Sequence, residues 1–178
     1  MKTLRIVKGL TLALAIGLAG CGLGKNKKAA EAEVDRFHQH WNASEFQAVF
    51  DEAHLQFRAA QSAETMITTM QTLKKNYGDL KSSKRRGFGF TSNEGATDIK
   101  LSYDSAFEDG AAVETFLFRM TGGKALLVSY DIVTPETAAR QEAETKQLTE
   151  AKRKAREEER KATRDAEKKA RETDKSKP

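Results

Sequence analysis

From Ala29 the chain alternates apolar and polar residues with a helical period. Val34, Phe37 and Trp41 recur on one face, with Glu and Lys around them, and predict a first helix. Asn42-Ala43-Ser44 interrupts it, and Ser44-Glu45-Phe46-Gln47 has the form of a capping box that restarts a helix. Phe46, Val49, Phe50, Ala53 and Phe57 supply the apolar face of that second helix. Ser62 is placed to cap a third, striped by Met66, Ile67, Met70 and Leu73, and Tyr77-Gly78 ends it with a left-handed glycine.

After Gly78 the period becomes two. Leu80 to Thr91, with Phe88-Gly89-Phe90, reads as a first strand. Ile99, Leu101, Tyr103 and Phe107 mark a second, and Asp109-Gly110 signals a hairpin. Ala112 to Phe118 reads as a more buried strand, and Gly122-Gly123 turns the chain tightly into Ala125 to Val133. Helices first and then an antiparallel meander of about four strands make an α+β domain, because a meander sheet has one face to cover and the helices are its available partner.

Upstream of Ala29 the pattern changes in kind. Lys2, Arg5 and Lys8 precede an apolar run, Gly9 to Ala19, of 11 residues. That run is too short to span a bilayer, which takes roughly 20 helical residues. Its end, Leu18-Ala19-Gly20-Cys21, resembles the lipobox of bacterial lipoprotein precursors, in which the cysteine thiol takes a diacylglyceryl group and cleavage falls just before it. Residues 1–20 are therefore expected to be a lipoprotein signal peptide and Cys21 the lipidation site, with residues 21–28 a flexible basic tether. Cys21 is the only cysteine in the chain, so no intrachain disulfide forms. By resemblance to enterobacterial sorting rules, Gly22 in place of an aspartate after the lipidated cysteine implies the outer membrane, facing the periplasm.

Composition sharpens the boundaries. Residues 1–20 carry three basic residues and no acid; residues 21–134 carry 14 basic and 15 acidic; residues 135–178 carry 14 basic and 11 acidic. The formal charge of +5 thus resides in the two ends, and residues 21–134, within which the domain is placed at residues 29–134, are close to neutral. An exported chain whose middle segment carries no excess of positive charge argues against a nucleic-acid partner. Residues 136–173 lack Pro and Gly and are rich in Ala, Glu, Lys and Arg, which predicts a charged helix or one fraying toward disorder across residues 135–178. Acid-before-base pairs four apart, such as Glu136/Arg140, Glu150/Lys154 and Glu157/Lys161, favour the helix. Leu148, Ala155 and Ala162 recur every seven residues, but Glu158 and Asp165 break the companion series, so a monomer is expected.

Few residues suggest chemistry. His38 and His40 stand two apart, about 200° around a helix, and cannot share an ion; neither metal nor cofactor is expected. Lys81, Lys84, Arg85 and Arg86 read as a basic surface that defends an edge strand or meets anionic lipid or wall polymer. Glu114 interrupts an apolar strand. Either it faces solvent and pairs with a lysine across the sheet, or it faces inward and needs Arg58, Arg119 or a tyrosine hydroxyl.

"YGDLKSSK", "LSYDSAFEDGAAVETFLFR" and "GGKALLVSYDI" resemble the domain of unknown function 4019 family over roughly residues 30–133. The most specific part is Tyr103-Asp104-Ser105-Ala106-Phe107, the hairpin, and Glu114 in the strand that follows. The resemblance implies a cystatin-like or nuclear-transport-factor-2-like fold. Related folds hold isomerases and hydrolases that pair an acid with a tyrosine in a cone-shaped pocket, which makes Trp41, Tyr103, Glu114 and Tyr130 the candidate binding residues. The expectation is a membrane-anchored periplasmic lipoprotein with a non-catalytic binding or scaffolding domain, whose tail contacts an envelope protein or the cell wall. A purely structural envelope role, or a pocket enzyme using Glu114 with Tyr103 or Tyr130, is the alternative.

Overall fold

The computed structural model describes residues 19–93 and 95–175, with side chains from Gly22 to Arg164. All but the last two residues of the expected export signal lie outside the described residues, as does the Cys21 side chain. Helix α1 (Ala19–Ala43) is followed by two short helices, α2 (Phe46–Glu52) and α3 (Leu55–Ala60), and by α4 (Ala63–Tyr77). Strands β1 (Leu80–Asn93), β2 (Ala96–Phe107), β3 (Ala111–Thr121) and β4 (Lys124–Val133) pair antiparallel in chain order, and α5 (Pro135–Lys175) closes the chain. The α+β class and the helices-then-meander order are as the periodicity predicts. No helix among the described residues is long and apolar enough to cross a membrane.

The helices cover one face of the sheet. Inward positions of β2 (Ile99, Leu101, Tyr103, Ser105, Phe107) alternate with exposed or half-exposed ones, and Ala112, Glu114, Phe116 and Phe118 are the buried inward positions of β3, where Val113 is buried on the other face. Against them α1 lays the stripe Ala30, Val34, Phe37 and Trp41, all buried. Burying aromatic and aliphatic side chains of this size is worth roughly 1.5–3 kcal/mol each, and this stripe is what holds α1 to the sheet.

The expected tether at residues 21–28 is instead the opening of α1. Leu23 packs against the core and Lys27 lies over the Phe88 ring at 5.6 Å, so tertiary contact offsets the poor helix propensity of Gly22 and Gly24. The predicted capping box does not form. Ser44 stands at φ 59° and ends α1: its N–H bonds the Trp41 carbonyl at 3.1 Å, and the Glu45 N–H bonds that of His40 at 2.9 Å. This pair of bonds satisfies the last carbonyls of α1, with serine in a position glycine usually takes. Glu45 then starts α2 with no side-chain cap.

The single second helix expected from Phe46 to Phe57 is broken at Ala53-His54. The His54 N–H donates to the Leu127 carbonyl on β4 at 2.9 Å, and its Nδ1 accepts from the Gln56 N–H, so a bond to the sheet edge replaces helix continuation. Ser62 caps α4 as predicted, accepting from Thr65 N–H. Gly78 has positive φ but lies outside the left-handed helical region, at φ 74° and ψ −156°. A Cβ there would come within 2.7 Å of Glu108, so the tight seam between α4 and the β2–β3 turn admits only glycine.

Two further features set the sheet's geometry. Leu117 faces Ser129 and Phe118 faces Leu127, so Val128 is an extra residue in β4. This bulge reverses the phase of the strand: Leu127 before it and Tyr130 after it both face the helices. On the opposite face, Thr134 and Pro135 start α5, whose first turns cross the sheet. Ala138 and Val113 are buried there, and Glu142 reaches Arg86 on β1 at 2.7 Å. The packed domain therefore extends past residue 134 at one end and before residue 29 at the other.

Candidate functional site

Glu114 is fully buried on the helix-facing side of β3. Of the two readings of the sequence, the inward one is observed, but with other partners than Arg58 or Arg119. The Tyr130 hydroxyl donates to Oε1 at 2.9 Å, the Ser105 hydroxyl donates to Oε2, and His38 Nε2 lies 2.9 Å from Oε2. Arg119 instead forks onto Asp98 across the sheet, with both bonds at 2.7 Å, and the Asp98 carboxyl is held below its ordinary pKa by that hydrogen bond.

Each partner reaches Glu114 for a local reason. His38 stands one position past Phe37 on α1, on the flank of the buried stripe that runs from Val34 to Trp41. Ser105 occupies an inward position of β2 between Tyr103 and Phe107. Tyr130 is brought in by the bulge at Val128; in an unbroken strand it would face away from Leu127's side. Phe37 and Phe116 roof the quartet, with Phe37–Tyr130 centroids 4.5 Å apart and Phe116–Tyr130 5.1 Å. Burial in this setting, reinforced by the neighbouring Glu114, raises the Tyr130 hydroxyl well above its ordinary pKa of 10.0.

Tyr103 faces Glu114 across the strand pair, yet among the described side chains its hydroxyl does not bond that carboxylate. Its ring packs edge-on against Phe116 at 6.0 Å, and burial raises its pKa as well. Trp41 is elsewhere, at the α4 end of the core: Nε1 donates to the Gly78 carbonyl at 3.0 Å, the ring packs on Phe107 at 5.5 Å, and Lys74 lies over it at 5.7 Å. Thus of the four candidates the fold joins Glu114 with Tyr130, keeps Tyr103 adjacent but unbonded, and gives Trp41 a packing position. His38 and Ser105 were not among the candidates. Each is a polar residue at or beside an inward phase of its element, and that mismatch was the available signal.

A groove of about 290 Å³ between α4 and β4, lined by Phe57, Met66, Met70, Leu73, Tyr130 and Ile132, touches the quartet only through Tyr130. A smaller cavity, about 30 Å³, lies between α1, α2 and β4 against His40 and Phe118. His40 Nε2 is buried there without a hydrogen-bond partner, 3.6 Å from Glu52, in a space that suits one water. A carboxylate bonded on both oxygens and packed among aromatic rings cross-links α1 to β2, β3 and β4, with three hydrogen bonds made inside the fold.

The basic cluster divides. β1 is an edge strand, and Arg85 pairs with Glu31 on α1 while Arg86 pairs with Asp104 and Glu142. Lys81 and Lys84 remain exposed. Among the described side chains the predicted pairs Glu136/Arg140, Glu150/Lys154 and Glu157/Lys161 do not close into ion pairs, in keeping with the small worth of exposed pairs. No protein-family model and no curated protein matches this chain.

Proposed function

We propose that this chain is a lipoprotein held in the outer membrane through a lipid on Cys21, facing the periplasm, with a domain of the domain of unknown function 4019 type that binds or scaffolds an envelope partner without catalysis. The observation that carries the non-catalytic part is the state of Glu114. Both of its oxygens are occupied and its surroundings are filled by side chains, an arrangement suited to fixing α1 on the sheet. The anchor rests on Leu18-Ala19-Gly20-Cys21 alone. Two or more acyl chains, at roughly 0.8 kcal/mol per buried CH₂, make such an anchor secure. The helix that leaves the sheet near Lys146 supplies a contact arm of charged residues for an envelope protein or the wall.

Metabolic labelling with palmitate tests the anchor: the parent chain is labelled and fractionates with membranes, and Cys21→Ser is neither. A Cys21→Ser chain that matures and fractionates like the parent ends the lipoprotein reading. Cross-linking of the lipidated protein in membranes, followed by mass spectrometry, tests the scaffold reading through capture of a discrete envelope partner that is lost when residues 147–178 are removed.

A further inference from the structure

Both edges of the four-stranded sheet expose backbone groups that could pair with another strand, and the molecule blocks them unequally. On β4, the Leu127 carbonyl is taken by the His54 N–H. At the start of β1, the Asn42 side chain both donates to the Leu80 carbonyl, at 3.1 Å, and accepts from its N–H, at 2.8 Å. From Lys81 to Arg86 the strand carries four cations and two register irregularities, between Leu80 and Ser82 and between Arg85 and Gly87. Charges and bulges of this kind are what keep edge strands from pairing. From Gly87 to Asn93 the protection stops. The segment Gly87-Phe88-Gly89-Phe90-Thr91-Ser92-Asn93 has no charge, runs in unbroken register against β2, and exposes Phe88 (40%) and Phe90 (54%). The two rings stack on each other at 6.4 Å on the helix side of the sheet, where Lys27 of α1 lies over Phe88 and both rings stay substantially exposed.

We propose that residues 87–93 of β1 pair antiparallel with the same residues of a second copy, in a register centred on Gly89. The occupant is named by self-complementarity, which a two-fold interface requires. With Gly89 opposite itself, Phe88 faces Phe90 of the second copy and Phe90 faces its Phe88. All four rings then share one face, because residues directly opposite in an antiparallel pair point the same way. The same register sets Arg86 against Ser92 and Arg85 against Asn93, so no like charges meet. Gly89 brings no side chain to the axis, leaving the outer face there unobstructed. The product is one continuous eight-stranded sheet. Its two-fold axis is perpendicular to the sheet, so both α1 helices lie on the same side.

The test uses the full chain bearing Cys21→Ser, purified in detergent, so that neither a lipid nor a native thiol contributes. Sedimentation gives a dimer, and Phe90→Lys weakens it at least about tenfold by removing the ring that faces Phe88 of the second copy and bringing a cation beside that copy's Lys27, which lies over the same Phe88. Oxidation of Gly89→Cys gives a disulfide-linked dimer, since facing residues lie within disulfide reach. Ser92→Cys gives none, because two copies of that position stand about 20 Å apart in this register. Unchanged circular dichroism of the variants separates loss of pairing from loss of fold. A chain that stays monomeric at 100 µM (about a hundredfold above a micromolar Kd) overturns the proposal. So does a dimer that survives Phe90→Lys, or one that disappears on deleting residues 147–175, which would belong to α5. A monomer that binds vesicles of anionic phospholipid only while Phe88 and Phe90 are present also overturns it, and assigns the patch to a lipid surface.

Discussion

Helices α1 and α5 lie on opposite faces of the sheet and are helical for different reasons. α1 contains Gly22, Gly24 and Asn26 near its start and Val34, Phe37 and Trp41 further on, a composition of middling propensity. It holds because one stripe is buried against β2, β3 and β4 and because His38 is tied to Glu114. α5 is the reverse case. Its Ala, Glu, Lys and Arg favour the helix residue by residue, while only its first turns, around Ala138 and Glu142, touch the sheet. Beyond Lys146 its described residues are exposed, Leu148 included. Tertiary contact makes a helix of an indifferent sequence in one place, and intrinsic propensity carries a helix without contact in the other.

The contrast is sharpest at two large apolar residues. Trp41→Ala removes a side chain that is 1% exposed and leaves the Gly78 carbonyl without its donor, so unfolding free energy falls by about 3–5 kcal/mol. Leu148→Ala, at a residue 57% exposed, changes it by less than about 0.5 kcal/mol. Urea titration of both variants measures this, and comparable losses would mean that α5 packs along its length.

Truncation probes the point at which α5 ceases to matter. Ending the chain after Val133 removes Ala138 and the Arg86–Glu142 pair and costs about 1–2 kcal/mol. Ending it after Thr149 leaves the melting temperature unchanged. Calorimetry on the two truncated chains decides the boundary, and equal stability would restore residue 134 as the domain's end.

A smaller effect appears at alkaline pH and belongs to the α1 side alone. Burial raises the pKa of Tyr130 and Tyr103 in the folded chain above 10.0, so the unfolded chain gives up these protons first. Their contribution to stability is therefore whole below pH 10.0 and is lost as the pH rises beyond it. The loss runs at up to about 1.4 kcal/mol per pH unit for Tyr130, which is raised well above its ordinary value, and less for Tyr103. Tyr130→Phe flattens that limb in denaturant titrations at rising pH; an unaltered slope would show that Tyr130 ionises as freely folded as unfolded.

Much of this architecture was open to a reading of the sequence. The change from a helical to a two-residue period at Gly78, the Ser62 cap and the hairpin signals at Asp109-Gly110 and Gly122-Gly123 all correspond to observed elements. These are local matters, in which a residue's propensity and its near neighbours decide the backbone. Glu114 was recognisable as anomalous in an apolar strand, and a tyrosine hydroxyl was among its expected partners.

What tertiary structure alone decided involves residues far apart in sequence. His38 and Glu114 are 76 residues apart, and nothing near either names the other. The break at His54 exists because Leu127 offers a carbonyl at the sheet edge, and the opening of α1 is a helix because Leu23 and Lys27 find β1 and the core beside them. The bulge at Val128 follows from matching β4 to β3 while both Leu127 and Tyr130 bury their side chains. Periodicity reports which face of an element is apolar; which partner covers that face is a competition among distant contacts, and only the folded chain resolves it.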